Sequence, residues 1–149
     1  MMSHQYNVNL KWKAERVGEV SSPELNSKIE VATPPQFPKG VEGIWSPEHF
    51  FTAAVNSCFM TTFLAIAENS RLEFKEFNCN AVGILDQVDG KFLMTEVILS
   101  PTLVITKEDD KEKALRVLDK SEKACLISNS INSKVSLNPL VTILETVNS

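Results

Sequence analysis

From Ser46 to about Asn69 the chain reads SPEHFFTAAVNSCFMTTFLAIAEN, and this stretch limits the possible folds more than any other. The Ser46 hydroxyl suits a helix cap, Pro47 suits the first helical position, and Glu48 lies near the positive end of the helix dipole. Beyond that start, apolar residues occur on nearly every side. The pattern predicts a long central helix enclosed by other elements rather than one floating on a surface. Its most apolar part, Phe50 to Ala67, includes Thr52, Asn56, Ser57, Thr61 and Thr62. Those groups are costly in hydrocarbon, so a membrane span is disfavoured and no membrane partner is expected.

The flanking segments supply sheets to enclose it. Val8, Leu10 and Trp12 alternate with polar neighbours, the period of a half-buried strand, and Ile29 with Val31 suggests another. TPPQFPKG is predicted as a loop because it holds three prolines and a glycine in eight residues. A strand from about Phe74 to Leu85, the turn DQVDGK and a strand from Phe92 to Leu99 read as a hairpin. Pro101 is expected to break that run, with Leu103 to Ile105 continuing the sheet. KEDDKEKALRVLDKSEKAC opens with acids and ends with lysines, as a helix does. Ala114, Leu118, Ser121 and Cys125 fall on one face of it, which points Cys125 toward the core. Val135 to Leu137 and Leu140 to Leu144 close the chain as one or two strands. The class is α+β, and 149 residues with no composition break read as one domain, 1–149.

Composition excludes several functions. A net charge of -4 offers no basic surface to a phosphate backbone, so no nucleic acid partner is expected. The start MMSHQYNVNLKWK lacks the parts of a secretory signal, which places the protein in the cytoplasm. The five glycines fit neither a dinucleotide fingerprint nor a P-loop. Cys58, Cys79 and Cys125 form no C-x-x-C and no zinc spacing with His4 or His49, so no metal is expected. Paired cysteines in a reducing compartment point to catalysis or redox sensing. Free cysteine is also among the most buried residue types, and inert core cysteines in a structural dimerisation domain fit the same pattern. Cys79, on the strand face of Phe77 and Ala81, reads as a packed residue, and His49 as a helix-surface residue.

The stretch SPEHFFTAAVNSCF, with ACLISN downstream and RVGEVSSPELNSKIEVATP upstream, resembles the OsmC/Ohr family of organic hydroperoxide reductases. That family has a proline-glutamate helix start, a cysteine ten residues on, a second cysteine opening a Cys-Pro-x-Ser turn, and an arginine-bearing hairpin leading to Thr-Pro. Here Leu126 and Ile127 follow the second cysteine where proline is usual, and Ser128 is in place. The loop before the helix is also poorer in glycine. The resemblance implies an OsmC-like fold of antiparallel sheets on a long central helix and a second helix, assembled as an intertwined homodimer with shared active sites. It implies Cys58 as peroxidatic cysteine, Cys125 as resolving cysteine, Glu48 as the helix-start glutamate and Arg16 as the active-site arginine. It further implies a thiol-dependent peroxidase acting on a small organic hydroperoxide, with no bound cofactor and an external dithiol reductant such as a dihydrolipoyl protein. A redox-sensing or ligand-binding protein with little turnover is the alternative on the same fold.

Two physical arguments accompany the resemblance. A thiol attacks peroxide as thiolate, a mid-helix cysteine gains nothing from the helix start, and no lysine or arginine lies between Ser46 and Ser70. A cation from elsewhere is therefore expected at Cys58, and the family pattern nominates Arg16, held by Glu48. Ten residues of helix rise about 15 Å, too far for Glu48 and Arg16 to reach Cys58 along one helix, so the approach is expected across a dimer interface. The apolar Phe50, Phe51, Phe59, Met60 and Phe63 suit a hydrocarbon tail, although aromatics at helical spacing equally suit a core.

Overall fold

A computed structural model describes residues 3–144. They fall into two compact units divided between Phe50 and Phe51.

The first unit holds a three-stranded antiparallel sheet of β1 (Asn9–Ala14), β2 (Val17–Ser21) and β3 (Ile29–Ala32), in that order. Glu15 and Arg16 form the tight turn between β1 and β2, with Glu15 in the left-handed region. Trp12 donates its indole N–H to the Glu15 carbonyl at 3.0 Å, bracing that turn. β1 has the predicted alternation but is exposed along its whole length, and Leu10 and Trp12 remain 71% and 72% accessible. The apolar face that the sequence marks for burial is exposed among the described residues. TPPQFPKG is a loop, as predicted, closed by Val41 N–H to the Thr33 carbonyl at 2.9 Å. A Cβ on Gly40 would lie 2.0 Å from the Pro34 carbonyl oxygen, so only glycine fits there.

Helix α1 (Pro47–Asn69) starts where the sequence places it. Ser46 Oγ accepts from His49 N–H at 3.2 Å, and Ser46 N–H donates back to His49 Nδ1 at 3.3 Å. His49 thus takes the place that Glu or Gln holds in a capping box, a role that a reading of it as a surface residue misses. The far end closes by Leu72 N–H to Ala67 O and Arg71 N–H to Glu68 O, with Arg71 left-handed.

In the second unit the Asp89-Gly90 turn, both residues at positive φ, joins β4 (Glu76–Val88) to β5 (Lys91–Ile105) as the expected antiparallel hairpin. On its other edge β5 pairs in parallel with β6 (Lys134–Leu137) and β7 (Leu140–Ile143). Pro101 does not break the run, and β5 passes straight through it. The reason lies in the edge that its missing N–H faces. Leu99 directs its carbonyl to Asn138 N–H at 2.8 Å, so Pro101, two residues on, faces the same edge. There β6 covers Glu96 to Leu99 and β7 begins at Thr102, leaving no ladder partner opposite Pro101.

The predicted second helix is a 3-10 turn (Glu108–Asp110), α2 (Lys111–Ala124) and a four-residue α3 (Leu126–Asn129). Val97, Leu99, Leu103 and Ile105 of β5 share one buried face with Ala114, Val117 and Leu118 of α2 and with Val55, Phe59, Phe63 and Ala67 of α1. The buried α1 residues recur every fourth position and make a single stripe, while Met60 and Leu64 stay 40% and 41% exposed. Within this chain, α1 is therefore buried along one face rather than enclosed on all sides. It is also the helix, among the described residues, that is long and apolar enough to cross a membrane. Its stripe belongs instead to the core of the second unit.

That helix packs tightly on the sheet at Gly83, where an added Cβ would clash with Thr52 Oγ1 and lie 2.9 Å from Met94 Cε. Gly83→Val is expected to destabilise the protein by about 2 kcal/mol or more through overpacking, lowering the thermal midpoint by roughly 5 °C. An unchanged melting curve would show that the helix shifts away freely.

Candidate active site

The chain brings two sulfurs together in its second unit. Cys58 stands at mid-α1, half-buried, one residue before fully buried Phe59. Cys125 follows α2, whose buried face of Ala114, Leu118 and Ser121 carries it inward as predicted, and it is fully buried. It is not itself helical. At φ -64° and ψ 116° it forms an extended corner between α2 and α3.

Burial is the largest single influence on Cys58 and pushes its thiol up. Hydrogen bonds from Ile127 N–H, the Cys125 thiol, the Thr62 hydroxyl and Leu126 N–H together outweigh it, and the thiol lies below its ordinary value. Thr62 is one helical turn on, with Oγ1 4.0 Å from Sγ. Within this chain the lowering comes from neutral donors. Cys125 moves the other way. Burial raises its thiol first, and the neighbouring Cys58 adds to that, against the opposing influence of Ser128. The two thiols are thus shifted in opposite directions, Cys58 down and Cys125 up. Cys79 stands apart. Burial raises it to about 11, against a bond from Ser100 N–H, and its carbonyl accepts from Asn56 Nδ2 at 3.0 Å, so it is the packed strand residue that the sequence suggests.

Arg16 and Glu48 line one cavity of about 400 Å3 in the first unit, walled by Leu10, Trp12, Val31 and Phe37. The four candidate residues therefore form two pairs, Cys58 with Cys125 and Arg16 with Glu48, each within its own unit. Of the aromatics considered for an apolar wall, Phe59 and Phe63 are core residues packed on Phe77, and Phe50 stacks on Trp45 at 5.6 Å. The sequence reading missed Thr62 and the N–H groups of Leu126 and Ile127. Thr62 carried a signal in its spacing of four from Cys58; the backbone donors carried none.

Comparison with known proteins bears on the family and the fold. The profile of OsmC-like proteins matches residues 40–139, a span that holds Glu48, Cys58 and Cys125. The uncharacterized protein YmaD of Bacillus subtilis (strain 168) is 28% identical over 142 residues, 92% of this chain and 93% of YmaD. The structure of VCA0330, an OsmC-like protein of unknown function from Vibrio cholerae O1 biovar eltor str. N16961, superposes with a TM-score of 0.83. It is 27% identical, and the match covers 93% of this chain and all of VCA0330. An organic hydroperoxide resistance protein from Elizabethkingia anophelis shares the fold at 21% identity, with a TM-score of 0.73 over 96% of this chain and all of that one. With the profile spanning two thirds of its length and the fold shared throughout, this chain belongs to the OsmC-like protein family.

Proposed function

We propose that this protein is a cysteine-based peroxidase that reduces organic hydroperoxides to alcohols. The observation that carries the reading is the pairing of half-buried Cys58 on α1 with buried Cys125 after α2, neighbours close enough for each thiol to shift the other. The organic hydroperoxide resistance protein among its structural neighbours supports the substrate class.

The cycle balances with one outside reductant. Cys58 thiolate bonds to the distal peroxide oxygen, the O–O bond breaks, and the alkoxide takes a proton and leaves as alcohol. Cys125 attacks the Cys58 sulfenic acid, water departs, and a Cys58–Cys125 disulfide forms. A dithiol, of the dihydrolipoyl kind, exchanges with that disulfide and restores both thiols. No bound cofactor enters the cycle, and a reducing cytoplasm supplies the dithiol.

Arg16 and Glu48 complete the site across a homodimer, the guanidinium of one protomer reaching Cys58 of the other and hydrogen-bonding the peroxide oxygens. The uncovered apolar residues of β1 and α1, Leu10, Trp12, Met60 and Leu64, support such an assembly.

The test mixes reduced protein with cumene hydroperoxide and counts free thiols, with and without dihydrolipoamide. The reading requires two thiols lost per chain, a Cys58–Cys125 disulfide, and continuous turnover once dithiol is added. Thiol loss without turnover would mean a redox sensor, and no thiol loss would overturn the proposal. Turnover per chain is expected to fall on dilution below the dimer's dissociation range, and full activity from a monomer would remove the role of the second protomer.

A further inference from the structure

We infer that Trp12 is a positioning residue for Arg16, its indole N–H locking the strained turn that presents the arginine. This role rests on the reading of Arg16 as the arginine of the active site, and it names what holds that arginine in place.

The turn between β1 and β2 carries a cost that its own sequence does not relieve. Ala14 pairs with Val17, so Glu15 and Arg16 alone make the connection. Glu15 has φ 50°, in the left-handed region that glycine and asparagine enter readily and glutamate does not. Such a conformation persists only where its surroundings over-determine it, and it clusters at functional sites. The hairpin register also shifts between Trp12 and Ala14, so the ladder is irregular beside this turn.

One side chain supplies the missing constraint. Trp12 Nε1–H donates to the Glu15 carbonyl at 3.0 Å, a bond made to the strained residue itself. Packing does not account for a tryptophan here. Trp12 is 72% exposed, and its partner across the hairpin is Gly18, which has no side chain to grip the ring. A ring needed only as apolar surface could be phenylalanine, whereas the bond to Glu15 requires the indole N–H.

The bond reaches the site through one peptide. The Glu15 carbonyl and the Arg16 N–H belong to the same planar unit, so fixing that carbonyl fixes the plane from which the Arg16 side chain departs. Trp12, Glu15 and Arg16 line one cavity, with Glu48 also on its wall. A guanidinium that makes directed hydrogen bonds loses its aim when its backbone swings.

The test compares wild type with Trp12→Phe, which keeps a ring and deletes the donor, and with Trp12→Phe/Glu15→Asn, which gives the left-handed turn a residue that adopts it unaided. On the reduced full-length protein, NMR relaxation gives order parameters for the Glu15 and Arg16 amides. Thermal unfolding is recorded, and kcat/KM for cumene hydroperoxide is measured with dihydrolipoamide. Both amides are expected to be rigid in wild type, at about 0.85, and to fall below about 0.6 in Trp12→Phe, with little change in thermal midpoint. In that variant kcat/KM falls about fivefold, the size of one neutral hydrogen bond. The double variant recovers both quantities. A tryptophan that served only as apolar cover would leave the order parameters in place and gain nothing from asparagine. Wild-type order parameters in Trp12→Phe, or a double variant as mobile as the single one, overturn the inference. So does an active enzyme whose kcat/KM is indifferent to the loosened turn. Should Trp12→Phe fail to fold, a benzothiophene analogue of tryptophan at position 12 keeps the bicyclic shape without the N–H, and the same loosening is required of it. Order parameters need no peroxide, so the stated pattern in a protein that leaves cumene hydroperoxide intact refutes the proposed function and not the brace.

Discussion

On the proposed cycle, Cys58→Ser is expected to abolish peroxide consumption, whereas Cys125→Ser is expected to stop turnover but leave one round of chemistry intact. The two outcomes differ because the two thiols are shifted in opposite directions. Donors from Ile127, Cys125, Thr62 and Leu126 hold Cys58 below its ordinary value, which favours its nucleophilic form. A serine hydroxyl in the same place stays protonated, and the rate falls on the order of a thousandfold or more, to background. Cys125→Ser keeps an O–H beside Cys58, so the first attack survives. The sulfenic acid then has no thiol to condense with and accumulates. Dimedone labelling read by mass spectrometry should give one adduct per chain in Cys125→Ser and none in Cys58→Ser. Equal labelling of both variants, or steady turnover by either, contradicts the assigned order of attack and resolution.

The pH dependence follows from the same pair. Cys58 has a lowered thiol, so its reactive form persists as pH falls below the range of an ordinary cysteine and is lost once the thiol protonates. Cys125, raised by burial, keeps its proton over that range.

Much of this was written in local sequence signals. Ser46, Pro47 and Glu48 mark the start of α1, and Asp89-Gly90 marks the hairpin, because each is a residue type tied to one backbone requirement. The pairing of Cys58 with Cys125 was legible through resemblance to a family, since 67 residues separate them in sequence and nothing local joins them. Pro101 misled because proline disrupts a strand only where its missing N–H faces a ladder partner, and the gap between β6 and β7 is a fact of topology. The alternation at β1 and the all-round apolarity of α1 state that faces need cover, but not whether the cover lies in the same chain. The end of the second helix carries no such signal, and Cys125 is an extended corner between α2 and α3 rather than a helical residue. Backbone donors have no letter in a sequence, so they could not be read from it.

Phe63→Ala is expected to cost about 3–5 kcal/mol of stability, enough to remove a large part of what an average domain possesses. Phe63 is fully buried, stacked on Phe77 at 4.6 Å and 18°, and edge-on to Phe74 at 5.3 Å. Truncation removes both ring contacts and leaves a cavity between α1 and β4, in an interior with little freedom to collapse. At 149 residues the thermal midpoint should fall by roughly 10 °C. Phe63→Leu, which refills most of the space, should lose about a third of that. The same helix carries Thr62 and Cys58 on the preceding turn, so a looser seat for α1 also loosens the sulfur against its donors. Cys58 alkylation in Phe63→Ala should therefore slow at neutral pH even well below the melting temperature. A variant that melts within a degree or two of wild type would mean that the Phe63–Phe77 stack does not anchor α1 to the sheet.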